Sequence, residues 1–417
     1  MVNGFRGAVV LSAGTFEIGG TLVIRESGVV LRGQGPDESD GTLLYATGTE
    51  RRNIVEVRGQ GGPELDTSTA SAVTDMYVPV GAHSFTVEDS SGYEVGDSVI
   101  VRRNGNASWI HEIDMDQIVH RPGAPPGATQ QWSPFVLGFD RIITQIEGNT
   151  VTVDAPVANA IESRWGGGEI VKYSDPGRIE DIGVENFRVE VEFDPSVTEV
   201  HQGEEYYADE NKATDFVVIN NAKNVWVREI SAYHLETSLV TVDRNAKWVT
   251  IQDNEALEMV SVLTGGRRYS YNYVGQLALT QRSYAETARH AFVVGSRVPG
   301  PNVFLSSSSA IDYGSSEPHH RWSVGGLFDN IDTRLDIQDR GWLGSGHGWS
   351  GANYVTWNTE GRLISQSPPT AQNYAIGHAG TKGNPFLPNA NDPRPRDDGY
   401  WEHEGQHVDP QSFMSNN

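Results

Sequence analysis

The chain has 417 residues and no cysteine, which excludes a disulfide framework and a thiolate metal site. A formal net charge of −24 argues against a nucleic-acid binder, whose affinity rests on Lys and Arg neutralising phosphates. Hydrophobic residues make up 37% with aromatics throughout, enough for a core, yet no apolar run reaches the roughly 18 residues of a membrane span.

The first strands are read almost at the start, in Ala8-Val-Val-Leu, Gly20-Thr-Leu-Val-Ile and Gly28-Val-Val-Leu-Arg-Gly-Gln-Gly. These runs are β-branched, separated by Gly and polar turns, and too short for helices. Residues 77–157 differ: Ser84-Phe-Thr-Val-Glu, Asp97-Ser-Val-Ile-Val and Asn149-Thr-Val-Thr-Val-Asp alternate apolar and polar positions, the pattern of antiparallel strands with one wet face. From about Arg178 the short runs return and become a repeat, with Asn221-Ala-Lys-Asn-Val-Trp-Val echoed by Asn245-Ala-Lys-Trp-Val-Thr-Ile, 24 residues on. A period of this size marks a solenoid. Leucine-rich spacing is absent, and β-branched runs with Asn at turns fit coils of a parallel β-helix better than a sandwich.

The expected fold is therefore all-β, a right-handed parallel β-helix solenoid with an inserted antiparallel β subdomain. Residues 1–76 are read as N-terminal coils, 77–157 as the insert and 158–380 as the main helix. Residues 381–417, with Pro385, Pro388, Pro393 and Pro395, are read as an irregular tail.

Residues 281–350 are spared the general acidity, with six Arg against seven Asp or Glu, and hold four of the twelve His. On coils of roughly 20 to 30 residues, His290, His320 and Arg340 fall where successive turns stack them on one face. Removing a proton beside a uronate carboxylate needs a cation for the enolate-like charge and a base for the proton. Arg289 and Arg321 are candidates for the carboxylate, His290 or His320 for the base, and Tyr284 or Tyr313 for protonating the departing oxygen. Substrate-binding candidates are His319, Arg340 and His347, with Trp322, Trp342 and Trp349 as faces for sugar rings; turn caps and core packing are the competing roles. Asp312, Asp329, Asp332, Asp336 and Asp339 offer a second constellation, from which a glycoside hydrolase could draw a pair, though Asp is also an ordinary turn residue. Gly344-Ser-Gly-His-Gly lacks the Gly-Lys-Ser/Thr ending of a phosphate loop. No cofactor is firmly implied, and a carboxylate-bound Ca²⁺ is left open.

Ala13-Gly-Thr-Phe-Glu-Ile, Gly28-Val-Val-Leu-Arg-Gly-Gln-Gly, Arg289-His290, Gly300-Pro-Asn-Val-Phe, Pro318-His-His-Arg-Trp, Gly346-His-Gly-Trp and Asn353-Tyr-Val-Thr-Trp-Asn together give the sequence its resemblance to bacterial proteins of the pectin-lyase-like superfamily. That resemblance implies a polysaccharide lyase acting on an acidic, uronate-containing polysaccharide by β-elimination, in the extracellular space or periplasm. Hydrolases on the same fold and non-catalytic adhesins, tailspikes or fibre subunits are the alternatives it carries. The calcium-binding Asp cluster of the pectate lyases is not matched here. Neither the secretion signal nor the further N-terminal coil that such relatives tend to carry precedes Ala8, so a trimmed chain is expected. Nothing read from the sequence sets an oligomeric state.

Overall fold

The structure, a computed structural model, describes residues 4–387, Asp392, Arg394 and residues 396–416; Pro388, Pro393 and Pro395 lie outside these. The short β-branched runs form strands that pair in parallel with the neighbouring coil. One 16-stranded sheet runs from Gly7–Val10 through Ile179–Val191, Ala222–Tyr233, Lys247–Leu257, Asn302–Ala310 and Gly326–Ile337 to Tyr400–Glu402. A second, seven-stranded sheet carries Leu22–Ile24, Val55–Arg58, Val217–Asn220, Val240–Val242, Tyr269–Tyr273, His290–Val294 and Glu317–Pro318. Because the chain alternates between the two sheets coil by coil, the molecule is the expected parallel β-solenoid.

The 24-residue echo is one coil: Lys223 pairs with Lys247 and Val225 with Val249 in parallel register. Asn221 and Asn245, which open the two copies, have φ of 48° and 68°. Asn tolerates this left-handed conformation better than other side chains, so it turns the corner. Inside the coils, buried amides satisfy backbone groups at the bends, as where Ile230 N–H donates to Asn254 Oδ1 (3.0 Å) and Ala278 N–H to Asn302 Oδ1 (2.9 Å). The apolar interior stacks ring on ring, Tyr271 on Phe292 (5.4 Å between centroids) and Phe304 between Tyr273 and Phe328 (4.7 and 5.1 Å).

The stack closes across the insert. Val29–Gly35 pairs directly with Ile179–Val191, and Val55–Arg58 with Val217–Asn220, so the chain between is extruded as a separate unit. Its antiparallel strands reach from Glu64 to Ser174, on both sides of the 77–157 segment. In Ser98–Asn104 the alternation works as read, Val99 and Val101 facing the unit's own core. That core also takes in Trp322, Val324, Trp349 and Ala352 of the solenoid, so the insert sits on those coils. A buried ionic latch joins the two bodies: Asp140 of the insert accepts hydrogen bonds from Lys247 Nζ (2.6 Å), Arg178 Nη1 (2.8 Å) and Tyr173 OH (2.7 Å). Within the stretch read as tail, Thr381–Lys382 and Tyr400–Glu402 extend the stack by pairing with Arg362–Leu363 and Tyr374–Ile376.

Candidate active site

Register brings the site together. Tyr269 lies opposite His290 on paired strands, and the next strand, Glu317–Pro318, leads straight into His319 and His320. The His319 N–H donates to Val294 O (2.7 Å), which seats it on the same stack. Ring centroids then lie 5.0 Å apart for Tyr269 and His290, 5.1 Å for His290 and His319, and 5.4 Å for Tyr269 and His319. His347, one coil further, stands 5.0 Å from His319 and 4.8 Å from His320. Its placement needs Gly346, whose φ is 92° and whose Cβ, if present, would lie 2.4 Å from Gln130 O of the insert. The insert thereby closes against this coil, with Trp132 Nε1 donating to Gly346 O (3.1 Å).

The floor is fully buried and built on Glu317. Its Oε1 accepts a hydrogen bond from Arg340 Nη1 (2.6 Å) and lies 3.2 Å from His290 Nδ1 and 3.6 Å from His319 Nε2. Burial pushes the Glu317 carboxyl up to about 8 against the pull of Arg340. His290 Nδ1 meets Ser315 O at 2.5 Å, and since a carbonyl only accepts, that nitrogen carries the proton and Nε2 is the bare one. Nε2 of His290 and Nδ1 of His347 are buried without a hydrogen-bond partner among the described residues.

The mouth is half-buried. Tyr269 OH lies 2.9 Å from His319 Nε2, and His319 Nδ1 lies 2.8 Å from His320 Nδ1, a continuous hydrogen-bonded chain of three side chains. Desolvation, then repulsion by Arg321, Arg340 and Arg297, lowers His320 to about 4; burial and Arg340 hold His319 well below the usual imidazole range. His347 falls to about 2 by burial, then Arg340 and His320. The imidazoles are therefore neutral at physiological pH. Tyr269 is raised by burial, although Arg289 opposes this, so it keeps its proton. Arg289 Nη1 donates to Gly265 O and reaches Tyr269 OH at 3.4 Å. At the other end Arg321, held in a left-handed backbone conformation (φ 58°), donates to Ser345 Oγ (2.9 Å) and to Gln130 Oε1 of the insert (3.2 Å).

Of the residues expected from sequence, Arg289, His290, His319, His320, Arg321, Arg340 and His347 converge. Tyr284 does not: it lies on the large sheet, its hydroxyl 3.3 Å from Glu286 Oε2. Tyr313 packs beside the cluster with Tyr206 and His201, under the buried Arg268 guanidinium. Trp322 and Trp349 are 1% and 2% exposed in the insert's core, donating to Asn159 Oδ1 and Ile113 O, and present no face to a sugar. Trp342 meets Phe386 edge-on, with Arg121 above it. Tyr269 and Glu317 had been given no role. Their signals were Tyr269's position about one coil before His290 and Glu317's place in the His-rich segment itself.

Among the described residues one set has metal-ligand geometry, His290, Glu317 and His319, with ligand atoms within 4.8 Å of one another. Two imidazoles and one carboxylate suit a transition ion and not Ca²⁺, which takes oxygen ligands. Arg340 already engages the same Glu317 oxygen, so the protein supplies the compensating charge at this point itself.

No family model matches the sequence, and no curated protein matches it. Among solved structures it is similar to the Gp54 tailspike of Acinetobacter baumannii bacteriophage AP22 in complex with A. baumannii capsular saccharide (11% identity, TM-score 0.47, 91% of this chain and 53% of that one). It is also similar to the gp49 tailspike of Pseudomonas phage LKA1 (10% identity, TM-score 0.46, 88% and 54%). A third is the catalytic domain of a GH87 α-1,3-glucanase in complex with nigerose (10% identity, TM-score 0.42, 96% and 61%). The chain thus spans about half the length of the tailspikes it matches.

Proposed function

We propose that this chain is a polysaccharide lyase of the pectin-lyase-like kind, cleaving an acidic, uronate-containing polysaccharide by β-elimination in the extracellular space or periplasm. The reading rests on the hydrogen-bonded chain Tyr269–His319–His320 with Arg289 at one end and Arg321 at the other. In the reaction a base takes the proton beside the carboxylate, the bond to the glycosidic oxygen breaks as a double bond forms, and that oxygen receives a proton; no water is consumed. Neutral His320 is the base and Tyr269 the acid. Arg321 and Arg289 pair with the carboxylate and stabilise the enolate-like charge. His319, bonded to both partners through its two ring nitrogens, can relay a proton from His320 Nδ1 to Tyr269 and restore the phenol, after which proton exchange with solvent returns the two imidazoles to their starting tautomers.

A hydrolase would need two carboxyl groups flanking the bond. Of the Asp set, Asp312 and Asp329 each keep an oxygen buried without a partner, but Asp329, opposite Leu305 on the large sheet, is tied by its other oxygen to Ser412 Oγ and Met414 N–H, whereas Asp312 lies past the end of the strand Asn302–Ala310 and accepts from Ser309 Oγ. The deciding experiment digests alginate, pectate, ulvan, glucuronan and glycosaminoglycans in turn. We expect one polymer to give the ultraviolet absorbance of unsaturated uronate ends in step with new reducing ends. Reducing ends without that absorbance would assign a hydrolase. Glycan binding without turnover would assign a non-catalytic β-helix.

A further inference from the structure

Beside the candidate site a cleft of about 580 Å³ runs between the insert and the solenoid. One wall is apolar and comes from the insert, with Ile100, Phe135 and Val136; the other comes from coil corners and carries Arg178, Arg244 and Arg297. Its one acidic lining residue, Asp140, is already shared by Lys247, Arg178 and Tyr173. The cleft is thus cationic on a chain whose formal charge is −24.

Arg297 is the residue that asks for a ligand. Its guanidinium lies 4.3 Å from the Phe135 ring centroid, Nε is buried without a partner, and no carboxylate among the described residues pairs with it. Arg321 is close enough to repel it, since burial and then Arg321 lower the Arg297 pKa. A half-buried cation beside a like charge is unfavourable unless an anion completes it. Arg244, exposed on the same wall, likewise has no acidic side-chain partner among the described residues.

We infer that this cleft is a distal subsite for an acidic oligosaccharide, in which Arg297 and Arg244 hold a sugar carboxylate while Ile100 and the exposed Val136 receive the apolar face of the ring. A bare inorganic anion would leave the apolar wall unused. Arg297 N–H donates to Arg321 O (3.2 Å), so a chain seated in the cleft leads toward the Arg321 end of the candidate site. The inference rests on an acidic glycan being the ligand and not on the chemistry of elimination.

The test is calorimetric binding of hexameric oligouronates, prepared from alginate, polygalacturonate and glucuronan, to the full chain, with a neutral dextran hexamer as control. We expect an oligouronate and not dextran to bind, with Arg297→Gln weakening affinity about tenfold and the exposed Arg244→Gln about threefold, as charged hydrogen bonds of unequal burial should. Arg244→Gln has no packing to lose, so it reports even if Arg297→Gln fails to fold. Affinity and KM unmoved by Arg244→Gln and by folded Arg297→Gln would overturn the subsite and leave the lyase reading standing. Binding weakened by both variants without any unsaturated product would do the reverse. No oligouronate binding to the unaltered chain would overturn the subsite.

Discussion

The Arg/His cluster and the Asp set share the stretch 289–347, and the fold uses them in opposite ways. Asp339 accepts from Gly341 N–H and from Arg396 Nε (3.0 Å), with Arg394 Nη2 at 3.1 Å; Asp336 pairs with Arg362; Asp332 is exposed. Asp329 accepts from Ser412 Oγ (2.7 Å) and Met414 N–H (3.1 Å), fastening the C-terminal segment. In the other cluster, imidazole nitrogens of His290 and His347 stay unpartnered, and the hydrogen-bonded chain ends at a half-open mouth. Unspent bonding capacity, more than residue type, separates a site from scaffolding here. Asp312 and Asp329 are the intermediate cases, each bonded through one oxygen with the other buried and unpartnered among the described residues, and burial pushes the Asp312 carboxyl up to about 6.

The sharpest way to break this contrast is Tyr269→Phe, which removes one hydroxyl and little packing. We expect kcat to fall by about 10²–10⁴-fold, the usual weight of a general acid, with the β-rich circular dichroism intact. Full kcat would class the cluster with the Asp scaffold. Asp339→Ala should act the other way: Arg394 and Arg396 keep Asp392 but lose their second buried carboxylate, which costs about 1.5–3 kcal/mol in denaturant unfolding. Turnover per folded molecule should hold. A large loss of kcat at unchanged stability would move Asp339 into the site.

The smallest effect concerns pH. His320 must be neutral to act as a base, and its pKa is depressed to about 4, so kcat/KM should persist on acidification and fall as pH drops through about 4. An unperturbed imidazole would already fail near about 6.5. Arg321→Gln removes a repelling cation, raises the His320 pKa and should move this acid limb upward by a fraction of a unit. An acid limb that stays in place would show that another group governs it.

Much of the fold was legible because a solenoid writes its geometry along the chain: the Asn221 and Asn245 copies are one coil apart and lie side by side in register. The site was legible as a neighbourhood for the same reason, since period becomes adjacency. The roles were harder. Tyr284 and Tyr269 carry the same phenol, and only the sheet to which each strand belongs decides which one meets His319. The tryptophans misled because the insert covers those coils, and no local pattern at Trp322 or Trp349 announces a partner from residues 109–135.

The way the stack closes over the insert bears on how the chain acquires its shape. Val55–Arg58 reaches its neighbour Val217–Asn220 only after the whole intervening unit has been looped out. Closing so long a loop adds little to the thermodynamic cost, which grows only with the logarithm of length, but it slows assembly. If the insert compacts first on its own hairpins, it shortens that loop and draws the two edges together. The element that walls the cleft would then also serve as an internal template, timing when the N-terminal coils join the rest.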